Sequence, residues 1–205
     1  MGDERTISEA IGNDHKTIDS YADKIKSSST LEEKIQWRNQ FTWALARHAV
    51  SEELTMYPTM EKHMGQEGTD LTNLDREQHQ AVSAGFYSAW DEANMPQVKE
   101  DLYKLQSMSP DDSQFSPLLE QLLKDLHTHI EHESNEDMPR LEQLLSREES
   151  RDLASQFQRT KMILPTRSHP YAPNKPYFEN FGAMLAAPID KFADLLRSFP
   201  PDSQV

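Results

Sequence analysis

TLEEKIQWRNQFTWALARHAVSEELTMYP, residues 30–58, begins with Thr and Glu three apart and then repeats apolar residues at helical spacing. Thr30-Leu31-Glu32-Glu33 has the form of a capping box, in which the Thr and Glu side chains satisfy each other's backbone N–H groups at a helix start. Trp37, Phe41, Leu45, His48 and Glu52 then fall on one helical face. The spacing predicts a helix to about Tyr57, because Pro58 disfavours α conformation in the residue before it. That face is apolar except for its last two members. A buried ionised Glu is costly unless it is paired or bound to a metal, so His48 and Glu52 carry the functional question.

The same pattern extends outward in both directions. Thr6-Ile7-Ser8-Glu9 is a second capping box, and Ile11, His15, Ile18, Ala22 and Ile25 form the stripe after it. Beyond Pro58, residues 65–69 read as a connector, and Thr72-Asn73-Leu74-Asp75 can start a third helix with Asp75, His79, Val82 and Phe86 in line. Asn94-Met95-Pro96 interrupts it, and a short helix continues through Leu102 and Leu105. Ser116-Pro117 reads as the cap and first position of a fourth helix, whose stripe is Leu119, Leu122, Leu126, His129 and Glu133. A further helix is expected over residues 147–162, covering one flank. The expected fold is all-α: an antiparallel up-down four-helix bundle with additional short helices. Residues 1–163 form the bundle and 164–205 a Pro-rich extension with a short amphipathic helix, packed on it.

Composition narrows the chemistry. The 205-residue chain contains no Cys, which excludes disulfides, thiol catalysis and Cys-ligated metals. Its net charge of −14 makes nucleic acid and anionic membrane poor partners. No apolar run approaches a membrane span, and the charged N-terminus lacks the centre of a signal peptide. An intracellular, cytoplasmic protein is the expectation.

The informative feature is a repeat. His48 and Glu52 are followed six residues later by Pro58, and His129 and Glu133 are followed six residues later by Pro139. His15 and His79 are weaker echoes, each on its own stripe, so the order resembles two copies of one helical hairpin. Four residues along an α-helix rotate about 400° and rise about 6 Å, so His and Glu at that spacing stack on one face. Either pair alone is commonly a core histidine or a surface pair. Two pairs plus two single His supply six ligands, which suits two metal ions bridged by carboxylates, and imidazole with carboxylate is an appropriate set for iron. Asp75, one turn before His79, reads equally as a seventh ligand or as a helix-start acid stabilised by the dipole. His132 lies at the edge of its face and is expected to be exposed, with a place behind the ligands as the other reading. His127 falls off the stripe, and His63 and His169 lie in connectors.

Residues 7–145 resemble the hemerythrin-like family, also called the HHE cation-binding domain. RHAVSEELTMYP and LHTHIEHESNEDMP are similar to its two His-x-x-x-Glu segments, and GNDHKTI and REQHQAV to its single-His helices. The resemblance implies a non-haem di-iron centre on His15, His48, Glu52, His79, His129 and Glu133, with other divalent metals able to take the place of iron. Oxygen-carrying members have a second His on the third helix, where this chain has Asp75 and Ser83 around His79. That departure implies redox chemistry rather than simple oxygen carriage. The tail TRSHPYAPNKPYFENFGAMLAAPIDKF resembles the extension of fungal members.

Two function classes follow. One is a di-iron oxidase or oxygenase that activates dioxygen or peroxide, with Tyr171, Tyr177 and Phe178 of the tail lining a substrate pocket. The other is a binding module that stores or senses iron, dioxygen or nitric oxide. Ferritin-like proteins use Glu-x-x-His pairs, the opposite order. A zinc hydrolase needs an open position and a general base, and nothing here resembles His-Glu-x-x-His. A metal-free bundle is the structural alternative.

Overall fold

The structure, a computed structural model, describes residues 4–83, 102, 104–163 and 198–201, without the side chains of 77–83 and 163. Every regular element among these residues is helical. Helix α1 spans Ile7–Ser27 and α2 spans Leu31–Met64, and both expected capping boxes close at their starts. Thr30 N–H donates to Glu33 Oε2 at 3.1 Å, and Glu33 N–H donates back to Thr30 Oγ1 at 3.2 Å. Helix α3 is Gln66–Ser83, α4 is Phe115–His132, α5 is Met138–Leu144 and α6 is Arg147–Ile163. Ser146 and Glu149 cap α6 reciprocally. Leu102 and Leu105, expected on a short helix, are helical and buried.

Three helix boundaries differ from expectation. Helix α2 does not stop at Tyr57: Pro58 lies inside it, exposed, and the helix continues to Met64. A prolyl ring on the solvent side of a long helix costs one hydrogen bond, and the buried Met56, Tyr57 and Met60 on the opposite side outweigh it. The expected connector over residues 65–69 reduces to Gly65, whose φ of 62° suits glycine, so α3 starts at Gln66 and not at Thr72. Gly68 then lies so close to α2 that an added Cβ would overlap the Met60 carbonyl. Helix α4 starts at Phe115 after Gln114, so Ser116 is not its cap.

Between α4 and α5 the chain makes one π-helical turn, Glu133–Asp137, in which Met138 N–H donates to the Glu133 carbonyl five residues back. Pro139 follows immediately and offers no N–H to the turn before it, and the wider turn accommodates its ring. The two Pro of the sequence repeat thus sit in different local structures.

The buried apolar residues form two clusters. One joins Ile18, Ala22 and Ile25 of α1 to Trp37, Phe41 and Leu45 of α2 and Leu119, Leu122 and Leu126 of α4. The other joins Ile7 and Ile11 to Met56, Tyr57, Met60, Met138, Leu141 and Phe157. Each large side chain buried in them contributes roughly 1.5–3 kcal/mol. Helix α6 packs against α1 and α2, the flank expected for it. On α1, on α2, and on α4 with the turn after it, polar residues lie between the two clusters: His15, then His48 and Glu52, then His129 and Glu133. No described helix is long and apolar enough to cross a membrane. Of the extension, Ser198 is held through its carbonyl by Asn39 Nδ2 at 2.9 Å. Tyr171, Tyr177 and Phe178 lie outside the described residues.

Candidate metal centre

Helical register brings the polar layer together. His15 follows Ile11 by one turn and precedes Ile18 by three residues, so its imidazole points where the α1 stripe points. His48 and Glu52 continue the α2 stripe after Leu45, and His129 and Glu133 continue the α4 stripe after Leu126. None of the five is more than 4 % exposed, and Glu52 and Glu133 are at 0 %.

Their donor atoms converge. His15 Nε2 lies 2.9 Å from His48 Nε2 and 3.3 Å from Glu133 Oε2. His48 Nε2 lies 3.0 Å from Glu52 Oε1. The two rings meet edge to face, with centroids 4.7 Å apart. His15, His48 and Glu52 form one triad with ligand atoms mutually within 4.8 Å, and Glu52, His129 and Glu133 form a second. Glu52 belongs to both. His79 is on α3, one turn after Asp75, but its side chain lies outside the described residues.

The electrostatics suit a cation. Burial raises the Glu133 pKa well above the ordinary carboxylate value, and the nearby Glu52, Asp75 and Asp137 raise it further. Burial acts in the opposite sense on His48, but Glu52 and Asp14 outweigh it and push the imidazole up to about 9. Without a metal, protons supply the positive charge that these groups demand. Neutral imidazoles and ionised carboxylates in one buried layer are a donor set that fits a bound cation.

The second sphere of contacts was only partly legible. Asp14, next to His15 in the chain, places Oδ2 3.5 Å from His48 Nδ1. Its other oxygen accepts from Lys161 Nζ of α6 at 2.6 Å. Burial raises the Asp14 pKa, but His48 and Lys161 overcome it and leave the carboxyl below its usual range. Phe157, one turn before Lys161, sets its ring 5.9 Å from the His48 ring, nearly perpendicular. The pairing of Asp14 with Lys161 had no local signal, because 147 residues separate them.

Asp75 and His132 are not members of the two triads. Asp75 is fully buried, and as the tenth residue of α3 it is too far from the start for the helix-dipole reading. His132 is not the exposed residue expected: its side chain is 27 % exposed, and Nδ1 lies 3.2 Å from Asp137 Oδ2 and 3.8 Å from Asp75 Oδ1. Asp137 carried no signal in the sequence, because residues five apart do not share a face of an α-helix. The π-turn brings them together. His127 is exposed, as its off-stripe position implies, and pairs with Asp19 at 2.9 Å.

Comparison with known proteins agrees with the geometry. The family model of the hemerythrin HHE cation binding domain matches residues 6–141. A hemerythrin-like protein of Schizosaccharomyces pombe is 44 % identical over 194 residues, covering 95 % of this chain and 88 % of its own length. No solved structure matches the chain. A buried His/Glu layer across three helices, inside a match that spans most of the bundle, settles the family: this chain is a member of the hemerythrin HHE cation-binding domain family.

Proposed function

We propose that the centre holds two iron ions on His15, His48, Glu52, His79, His129 and Glu133, and that the protein binds dioxygen or peroxide there and uses it in oxidation. The observation that supports this most directly is the sharing of Glu52 between two donor triads, since one carboxylate has two oxygens and can face two ions. Bound iron supplies the redox capacity. The protein's own residues prepare the site. Asp14 engages the Nδ1 side of His48 and so presents Nε2 to a cation. Glu133 holds a proton until a positive charge replaces it. Leu45 and Leu126 on one side and Met56 and Phe157 on the other close the layer with apolar side chains. Other divalent metals that accept imidazole and carboxylate fit the same donors.

The burial of the five described donors supports a second reading, a non-enzymatic module that stores or senses iron, dioxygen or nitric oxide. A centre sealed in this way admits small molecules more readily than large substrates.

Metal analysis and an optical spectrum of anaerobically purified protein test the centre. Iron is expected, with the charge-transfer absorption of a coupled ferric pair after oxidation. His48→Ala or His129→Ala is expected to abolish both. Unchanged metal content in these variants would sink the assignment. Mixing reduced protein with dioxygen or peroxide separates the two readings: rapid, repeated reoxidation supports the enzyme, and a persistent adduct supports the binding module.

A further inference from the structure

Next to the centre, a second group of donors stands on α3 and on the turn after α4. We propose that Asp75, His132 and Asp137 form a separate site for a divalent first-row cation, distinct from the His15–His48–Glu52 and Glu52–His129–Glu133 triads. One ligand atom from each of the three residues lies within 4.8 Å of the other two. His132 Nδ1 faces both carboxylates, at 3.2 Å from Asp137 and 3.8 Å from Asp75.

A plain His–Asp ion pair accounts for part of this arrangement and leaves part unexplained. Asp137 is fully buried, and its Oδ1 has no hydrogen-bond partner among the described residues. An unsatisfied buried carboxylate oxygen costs free energy that a bound cation would recover. Arg140 acts on Asp137 only through its charge, its guanidinium pairing with Glu67 and Glu136, each at 2.9 Å. A divalent cation held by Asp75, His132 and Asp137 would give Asp137 Oδ1 a partner.

The local backbone is built for this group. In a regular α-helix the side chains of residues 132 and 137 would diverge by about 140°. The π-turn Glu133–Asp137 inserts one residue, so Asp137 occupies the place of an ordinary four-residue neighbour. The same turn sends Glu133 to the sealed centre and Asp137 to the second group. The partly exposed His132 side chain gives an ion a route from solvent that the sealed centre lacks. One imidazole with two carboxylates suits Mn(II), Fe(II) or Zn(II), with the remaining positions left to water.

Zinc retention by the full-length protein tests the site. The purified protein is equilibrated with Zn(II), passed through a desalting column, and its total iron and zinc are measured per chain. Wild type is expected to hold one more metal equivalent than Asp137→Asn or His132→Gln. His48→Ala, which removes iron from the main centre, is expected to keep that difference when Asp137→Asn is added to it. Circular dichroism establishes that each variant is folded, and His132→Gln serves where Asp137→Asn is not. Equal metal content in wild type and both folded variants would overturn the site, because loosely held surface ions survive both substitutions. Loss of iron in His48→Ala reports on the main centre, and the metal difference between wild type and Asp137→Asn reports on this site, so the two proposals fail separately.

Discussion

Asp14 Oδ2 lies 3.5 Å from His48 Nδ1, and the same carboxylate accepts from Lys161 on the last described helix. A carboxylate behind a metal-facing histidine sets which ring nitrogen carries the proton and holds the ring plane. Asp14→Ala is therefore expected to weaken metal binding roughly 10- to 100-fold, measured by competition with a chromophoric chelator. The same variant leaves Lys161 without its partner and is expected to lower stability by roughly 1–3 kcal/mol. Lys161→Met keeps the apolar stem and removes the charge, so it is expected to show a smaller loss of the same kind. Chelator affinities indistinguishable from wild type in Asp14→Ala would show that the contact does not position His48.

Metal uptake should release protons. In the metal-free protein His48 titrates at about 9, above the ordinary value of 6.5, because Glu52 and Asp14 outweigh the effect of burial. Its stabilisation of the metal-free fold is fully present below the unfolded value and is lost as pH rises through about 9. Metal binding runs the opposite way. The cation must displace the His48 proton, and the Glu133 proton held by burial and neighbouring acids, so affinity rises with pH over the same window. Calorimetry in buffers of differing ionisation enthalpy checks this, and a binding heat independent of buffer would contradict it.

Pro58 occupies an exposed position inside α2. Replacing it with Ala restores an N–H to the helix and removes a ring clash with the preceding turn. Proline inside a helix costs about 3 kcal/mol relative to Ala, and local bending recovers part of that, so Pro58→Ala is expected to raise stability by roughly 1–2 kcal/mol. A fall in the thermal midpoint would indicate that Pro58 is needed to seat Met56 and Met60 in the core.

Gly65 and Gly68 set how α3 returns along α2. Gly65 has φ of 62°, and Gly68 touches the Met60 carbonyl. Gly68→Ala is expected to push α3 away from α2 and cost roughly 1–3 kcal/mol by overpacking. It should also disturb the Thr72–Glu61 hydrogen bond, 2.9 Å long, and the Arg76–Glu61 pair, both of which pin α3 to α2 near Asp75. Thermal denaturation measures the first effect. An unchanged midpoint would show that the contact relaxes without loss.

The stripes were legible because their information is local. Ile11, Ile18, Ala22 and Ile25, then Trp37, Phe41 and Leu45, then Leu119, Leu122 and Leu126 are all buried, as helical spacing alone implies. His15, His48, Glu52, His129 and Glu133 were found by the same rule, since a polar residue in register with a buried stripe must share its direction. Pro58 was misread because the preference of a residue before proline is weak beside the burial of Met56, Tyr57 and Met60. Gln66–Thr69 was read as part of a connector, whereas one positive φ at Gly65 completes the reversal and α3 starts at Gln66.

By itself the sequence determined the helices, their buried faces and five described members of the polar layer, because each follows from a period of 3.6 residues within one helix. Tertiary structure alone decided which polar groups meet across helices. It placed Asp14 between His48 and Lys161, made Glu52 common to two triads, and through one widened turn joined His132 to Asp137 and Asp75. Those relations depend on how helices distant in sequence are set against one another and on a local departure from α geometry, and neither is written in residue spacing.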